Sequence, residues 1–298
     1  YDPDSGLPFV WQDAYAPLTA EYATGRFWLF HETFAPNAFD WPDRHLDGDH
    51  YKGLNQYFQA VEPLSIYPFS IKPEKKMSVQ DIMAFQRSVF EDTIYDMSAQ
   101  PQWLVPARDE EGNFTKEYVK SPLATPFPGR DLRELLNLTY RRPVARHRGH
   151  SGMIAQLRGW LPDPVGGVYW IFIDNPHVGP YVPMYAGNLS THESYQVYHP
   201  EQYDERSARW AYDFVDNLAG LRFQEAILDI RAKRDPFEQQ MFDRQAEIEK
   251  EALALYETDP QAAREFLTEY SNGLMQQATE MYVGLRNELI VNYTNNQE

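Results

Sequence analysis

The sequence predicts an α+β protein in which strand-and-turn chain over residues 1–200 gives way to mostly helical chain over 201–298. Three observations carry this. Of 22 prolines, 20 lie in the first 200 residues, and 13 of 16 glycines lie with them; both residues interrupt helices and mark turns. Two apolar runs, Gly152 to Leu157 and Val168 to Ile173, flank the Pro- and Gly-rich stretch Trp160 to Gly167, the pattern of a β-hairpin with a long loop. After residue 200, apolar side chains recur at helical spacing.

In chain order, Ser78 with Asp81 three residues on opens a helix carrying Ile82, Phe85, Val89 and Phe90, expected to run to about Phe90 or Asp92. The second hairpin strand, Val168-Tyr169-Trp170-Ile171-Phe172-Ile173, is apolar on both faces and so should be a buried central strand. Further on, Asp235-Pro236 with Glu238 reads as a helix start: a cap, a proline at the first helical position and a capping-box carboxylate. Asp259-Pro260 repeats the first two. The predicted helical stripes are Trp210, Phe214, Leu218 and Leu221, then Phe237, Met241, Ile248 and Leu255, then Met275, Tyr282, Leu285 and Leu289. Stripes at this spacing are core, not a cofactor box.

With 27 basic and 44 acidic residues the net charge is -17 and the pI near 4.9, which disfavours nucleic acid and anionic lipid as partners. Residues 201–298 hold 20 acidic and 10 basic side chains, read as a solvated helical face in preference to an acidic docking surface. No run of 18 apolar residues occurs, so no spanning helix is expected. The chain opens with Tyr1 and not Met, as expected of a chain cut from a longer precursor. Cysteine is absent, which removes disulfides, thiolate metal sites and thiol nucleophiles from these residues. It also suits an oxidising compartment, so a secreted or periplasmic location is expected, with the cytoplasm kept open. Four glycosylation sequons stand at Asn113, Asn137, Asn188 and Asn292, a number that chance supplies in a chain this long.

There is no phosphate loop, dinucleotide fingerprint, HExxH or GxSxG. Asp2-Pro3-Asp4-Ser5-Gly6 begins like a calcium loop but lacks the later ligands, and reads as a turn. Asp43, His45, Asp47, Asp49 and His50 could ligate a divalent ion, although a polar loop around Gly48 accounts for them better. No metal and no cofactor are expected. Arg146-His147-Arg148-Gly149-His150 is the densest basic cluster of an acidic chain. At the mouth of a sheet Arg148 and His150 could hold a substrate carboxylate or stabilise an oxyanion, with Arg158 a further candidate. Alternatively, these side chains pair with acidic neighbours.

Two segments go beyond composition. Tyr67 to Met83 reads YPFSIKPEKKMSVQDIM, and Phe90 to Met97 reads FEDTIYDM. With Tyr1 to Tyr15, Arg26-Phe27-Trp28, Gln156-Leu157-Arg158, Gly166 to Trp170 and Tyr181 to Tyr185, they resemble the dipeptidase family of cysteine N-terminal nucleophile hydrolases in order and spacing. The match covers Tyr1 to Tyr185; Asp92 stands where the family usually has glycine and Ile94 where it has proline.

That resemblance implies part of an αββα sandwich and hydrolysis of a peptide or other amide bond. In the family a cysteine becomes the first residue of the mature chain and its own α-amine serves as base. No such residue is present here, so the nucleophilic Cys is expected upstream, on an N-terminal segment or a companion chain, and no catalytic nucleophile is assigned to this chain. Short peptides or N-acyl amides are the implied substrates, and a homo-oligomer is possible. Thr93, Tyr95 and Asp96, following a helix end, are candidates for positioning substrate or the N-terminal amine; the other reading is a turn held by its own hydrogen bonds. The rival class is a catalytically inactive relative acting in assembly. Sugar binding through the aromatic residues ranks below both.

Overall fold

A computed structural model describes residues 21–37, 71–93 and 95–295. The resemblance segments Tyr1 to Tyr15 and Tyr67 to Ser70, and the Asp2–Gly6 and Asp43–His50 clusters, lie outside the described residues. The described chain mixes helix and strand and divides into two compact units: 1–102 with 128–144, and 103–127 with 145–298. This is a different division from the compositional one near residue 200, because the helices after 200 pack on the sheet before it.

The first unit contains helices α1 (Glu21–Phe34), α2 (Val79–Arg87) and α3 (Arg130–Leu136). Phe85 of α2 meets Phe30 and Phe34 of α1 at ring-centroid distances of 5.6 and 5.5 Å. Helix α2 starts as the sequence predicts: the Ser78 hydroxyl accepts from the Asp81 amide, and the Asp81 carboxylate accepts from the Ser78 amide. The bonds that this carboxylate accepts, first from the Ser78 amide, then from Lys75 and the Ser78 hydroxyl, hold the Asp81 carboxyl down to about 2. The helix ends sooner than expected, at Arg87. Val89 and Phe90 are still buried, but Phe90 adopts a left-handed φ of 66°, so burial there belongs to a turn. Hydrophobic spacing reports burial, and it ran past the helix.

The second unit holds hairpin β1 (Leu104–Arg108) with β2 (Phe114–Lys120), and a sheet of β3 (Ser151–Leu157), β4 (Gly167–Ile173) and β5 (Val182–Tyr185), all antiparallel. In the order β3-β4-β5, β4 is central, as expected, but of its side chains only Val168 and Trp170 are buried, so the expected burial of both faces is not met among the described residues. A one-turn helix α4 (Asp163–Gly166) closes the long loop. Three helices follow: α5 (Ala208–Ala219), α6 (Phe223–Thr258) and α7 (Pro260–Tyr293). Helix α7 packs on α5, α6 and β5. Alternation sends Ile154, Val168 and Trp170 inward, where Trp170 stacks on Phe242 of α6 at 4.3 Å. The opposite sheet face carries Met153, Ala155, Leu157, Tyr169 and Ile171, with Met153 and Leu157 exposed.

The stripe Met275, Tyr282, Leu285 and Leu289 is buried throughout, and Asp259 caps α7 by accepting from the Gln261 and Ala262 amides. Two helical readings need correction. Asp235-Pro236 does not start a helix: α6 begins at Phe223 and runs on through Pro236. There Asp235 pairs with Arg234 at 2.7 Å, and buried Glu238 accepts from the Tyr181 amide at 2.7 Å. Packing against the sheet outweighs the one helical hydrogen bond that proline lacks. In α5 the buried face is Ala208, Ala211, Tyr212, Val215, Asp216 and Ala219. Phe214 and Leu221 of the predicted stripe are exposed. Alanines permit the close approach of α5 to α7, where Tyr212 packs on Tyr282 at 4.8 Å, while Phe214 faces outward.

Candidate active site

At the open end of the β3–β4 pair, opposite the long loop, three segments of the second unit converge: 146–150 before β3, 174–177 after β4, and one face of α5. Asp174 donates its amide to the His150 carbonyl at 3.0 Å, which closes the end of the pair. Its φ of 71° is left-handed, a conformation that costs a residue with a Cβ of the order of 1 kcal/mol or more. That turn drives the Asp174 and Asn175 side chains back into the protein, where each is 1% exposed. Gly149 makes this possible, since a Cβ there would lie 2.7 Å from the Asp174 carbonyl oxygen.

Helix α5 supplies Arg209, Asp213 and Asp216 at helical spacing, on the side facing this turn. The Arg209 guanidinium pairs with Asp174 Oδ1, donates to the Gly149 carbonyl at 3.0 Å and lies 3.9 Å from Asp213. Asp216 receives two groups: Asn175 Nδ2 at 3.1 Å on Oδ1 and His147 Nδ1 at 2.8 Å on Oδ2. Phe127 stacks on His147 at 5.7 Å. The loop carrying Phe127 is held to α6 by Gln224, whose side-chain amide donates to the Ala124 carbonyl at 2.6 Å.

The electrostatics follow from burial. Asp174 Oδ2 has no partner within the described chain. Desolvation, with the Asp216 and Asp213 carboxylates close by, pushes the Asp174 carboxyl up to about 7 against the pull of Arg209. The hydrogen bond that His147 donates to the Asp216 carboxylate raises His147, outweighing its desolvation. Desolvation raises Asp213 as well. Asp174 therefore exchanges its proton near neutrality, next to a raised His147, an Arg and a side-chain amide, in a strained turn. Such a set can hold a proton, orient a polar substrate group and stabilise developing negative charge. Among the described residues no group of three or more His, Asp or Glu is arranged to hold a metal ion.

The family model for Peptidase family C69 matches residues 1–235. The chain belongs to peptidase family C69. That C69 match takes in every residue of the cluster just described. Among curated relatives, a probable dipeptidase B of Streptococcus pyogenes serotype M1 is 26% identical over 215 residues, covering 72% of this chain and 38% of that protein. A probable dipeptidase of Latilactobacillus sakei is 24% identical over 243 residues, covering 76% of this chain and 42% of that protein. The matched part of this C69 chain thus spans about two fifths of the length of these relatives.

The six residues singled out in the C69 sequence fall in different places. Thr93, Tyr95 and Asp96 belong to the first unit. There the Thr93 hydroxyl donates to the Phe90 carbonyl and accepts from the Tyr95 amide, and Asp96 caps a short turn by accepting from the Ser98 amide and hydroxyl at 2.8 and 2.6 Å. Tyr95 is buried beneath the Arg141 guanidinium at 4.4 Å. Arg148, His150 and Arg158 belong to the second unit. Arg148 and His150 are exposed beside the cluster. Arg158 stands at the other end of β3, roughly 25 Å away along a seven-residue strand. Its guanidinium is taken by Glu249 at 2.6 Å and by the Val165 and Gly166 carbonyls.

Sequence reasoning missed Asp174, Asn175, Arg209, Asp213 and Asp216. One signal was present: Asp174-Asn175-Pro176 ends an apolar strand with two polar side chains that have no turn glycine beside them. The carboxylates of α5 were hidden among the charges assigned to a solvated face.

Proposed function

We propose that the intact protein is a cysteine-type dipeptidase or amidohydrolase that cleaves short peptides or N-acyl amides. This chain contributes sheet strands, pocket walls and charged recognition groups. The nucleophilic thiol, and the α-amine that serves as its base, come from an upstream segment or companion chain that begins with Cys. The observation that carries the reading is the cluster at the open end of the sheet, in which buried Asp174, Asn175 and Asp216 meet half-buried Arg209 and His147. It has the groups an amide hydrolase needs around its nucleophile: donors for an oxyanion, a carboxyl that titrates near 7 and an imidazole whose pKa is raised by its carboxylate partner. The unpartnered Asp174 Oδ2 supports the reading, since a buried carboxyl oxygen without a partner calls for a reason.

The αββα architecture belongs to the same proposal. The apolar face of β3 and β4 that carries Met153, Ala155, Leu157, Tyr169 and Ile171 suits a second sheet stacked on it, as sheets pack about 10 Å apart through such faces. The protein is expected to act outside the cytoplasm, in a secreted or periplasmic setting.

Incubating the intact protein with a dipeptide panel, with and without a thiol-alkylating reagent, tests the reading. Release of free amino acids that alkylation abolishes is expected. No turnover by material in which a polypeptide beginning with Cys has been detected by mass would refute it. The rival, an inactive relative working in assembly, draws on the absence of Cys from these residues. It predicts a lone 34.8 kDa species by intact mass.

A further inference from the structure

The outward side of α5 carries a second feature, continuous with the polar cluster. Four rings, Tyr198, Tyr203, Trp210 and Phe214, contact one another with centroids 5.5–6.2 Å apart. Tyr198, Tyr203 and Phe214 are 49%, 48% and 38% exposed, so this is a surface shelf and not core. Its geometry is pinned. Trp210 Nε1 donates to the Gln202 carbonyl at 3.1 Å, Arg286 donates to the Tyr203 hydroxyl at 2.7 Å, and the Ser207 hydroxyl caps the helix at Trp210. Solvent-facing rings held by hydrogen bonds at their edges are organised before any ligand arrives.

The shelf joins the cluster through Arg209. The Arg209 guanidinium carbon lies 6.0 Å from the Tyr198 ring centroid, and the same guanidinium reaches the Gly149 carbonyl. Gly149 sits between Arg148 and His150, and the Arg146, Arg148 and His150 side chains are exposed. Neither Arg146 nor Arg148 has an ion-pair partner among the described residues. In a chain of net charge -17, this is a cationic stretch whose backbone, at Gly149, is tied to the aromatic surface through Arg209. The ligand chemistry that complements both is an aromatic ring next to a free carboxylate: ring pairs add affinity beyond area, and Arg holds carboxylate by paired hydrogen bonds.

We propose that Tyr198, Tyr203, Trp210 and Phe214 form the subsite for an aromatic side chain of a peptide whose carboxylate is taken by Arg148. The subsite rests on the hydrolase reading above and deepens it, by naming peptides with an aromatic C-terminal residue as the preferred class.

Equilibrium binding of glycyl-phenylalanine, its C-terminal amide and glycylglycine to the full chain tests it, in the parent and in Tyr198→Ala, Phe214→Ala and Arg148→Ala. Unfolding curves confirm that these exposed-site variants fold. The parent is expected to bind glycyl-phenylalanine about tenfold tighter than glycylglycine. Tyr198→Ala and Phe214→Ala should erase that preference, and Arg148→Ala should lower glycyl-phenylalanine to the level of its amide. Equal binding of the peptides, no binding, or a preference that survives both ring variants overturns the subsite. Turnover by the intact protein separates the two readings. Equal hydrolysis of both dipeptides overturns the subsite and leaves the hydrolase, whereas preferential binding without hydrolysis supports the subsite and sinks the hydrolase.

Discussion

The two ends of the β3–β4 pair each carry a buried network of charged and amide groups, and they are built in opposite ways. At the loop end, Glu249 of α6 accepts from Arg158 at 2.6 Å, Gln245 at 2.8 Å and Tyr185 at 3.2 Å. Gln245 continues to Gln156, which also accepts from Trp170 Nε1 at 3.2 Å. Both carboxylate oxygens are occupied, and the guanidinium spends its remaining donors on loop carbonyls. At the open end, Asp174 has one oxygen on Arg209, the other unpartnered, and a left-handed backbone. The first network ties a helix to a sheet. The second leaves hydrogen-bonding capacity for something outside these residues. Burial and charge are shared by both; satisfaction is what distinguishes them.

That contrast can be broken by substitution. The largest effect is expected from Arg158→Met, which strands a buried Glu249 carboxylate: a loss of about 3–5 kcal/mol in denaturant unfolding. A loss under 1 kcal/mol would mean the loop-end network is not structural. Next is the pH dependence of the open end. Folded Asp174 keeps its proton to about 7 whereas an ordinary Asp releases it at 3.8. The folded state therefore binds more protons across that window, and stability falls as pH rises through it. The fall is at most about 4 kcal/mol, at about 1.4 kcal/mol per unit. His147 has the same sign: its contribution is present below 6.5 and is lost as pH climbs through its raised folded value. Asp174→Asn should flatten the lower part of this slope in urea titrations, and an unchanged slope would count against the assignment.

Turnover comes third. In the intact protein Asp174→Asn is expected to cost about a hundredfold in dipeptide hydrolysis without lowering stability at pH 7, as loss of a proton-holding group does. Equal losses in both assays would make Asp174 merely structural. Tyr185→Phe removes one hydrogen bond to a carboxylate and should cost about 2 kcal/mol by thermal unfolding, with dipeptide turnover intact. Last, Arg148→Ala should change stability by less than about 0.5 kcal/mol. A larger shift would show that this exposed side chain holds the fold.

What the sequence disclosed was local. The Ser78 and Asp259 caps, the β3–β4 hairpin with its central strand and the buried stripe of α7 each depend on residues within a turn or two of one another. The Asp235-Pro236 motif was equally local and failed, because α6 gains more from packing against the sheet than proline forfeits. The open-end cluster is assembled from residue 147, residues 174–175 and residues 209–216, so no window on the sequence contains it. Arg148 and His150 marked its neighbourhood through a contrast in charge. Arg158, four side chains further along the same strand face pattern, was drawn into the other network by Glu249, 91 residues away.

The left-handed turn at Asp174 also bears on how such a protein could change over generations. Glycine is the residue that this backbone accepts without strain, and aspartate and glycine codons differ by one base. A single mutation would relax the turn and delete the buried carboxyl together, so if Asp174 serves the proposed hydrolysis, selection for a sturdier fold and selection for chemistry pull this position in opposite directions. Whichever residue a descendant carries there records which of the two prevailed.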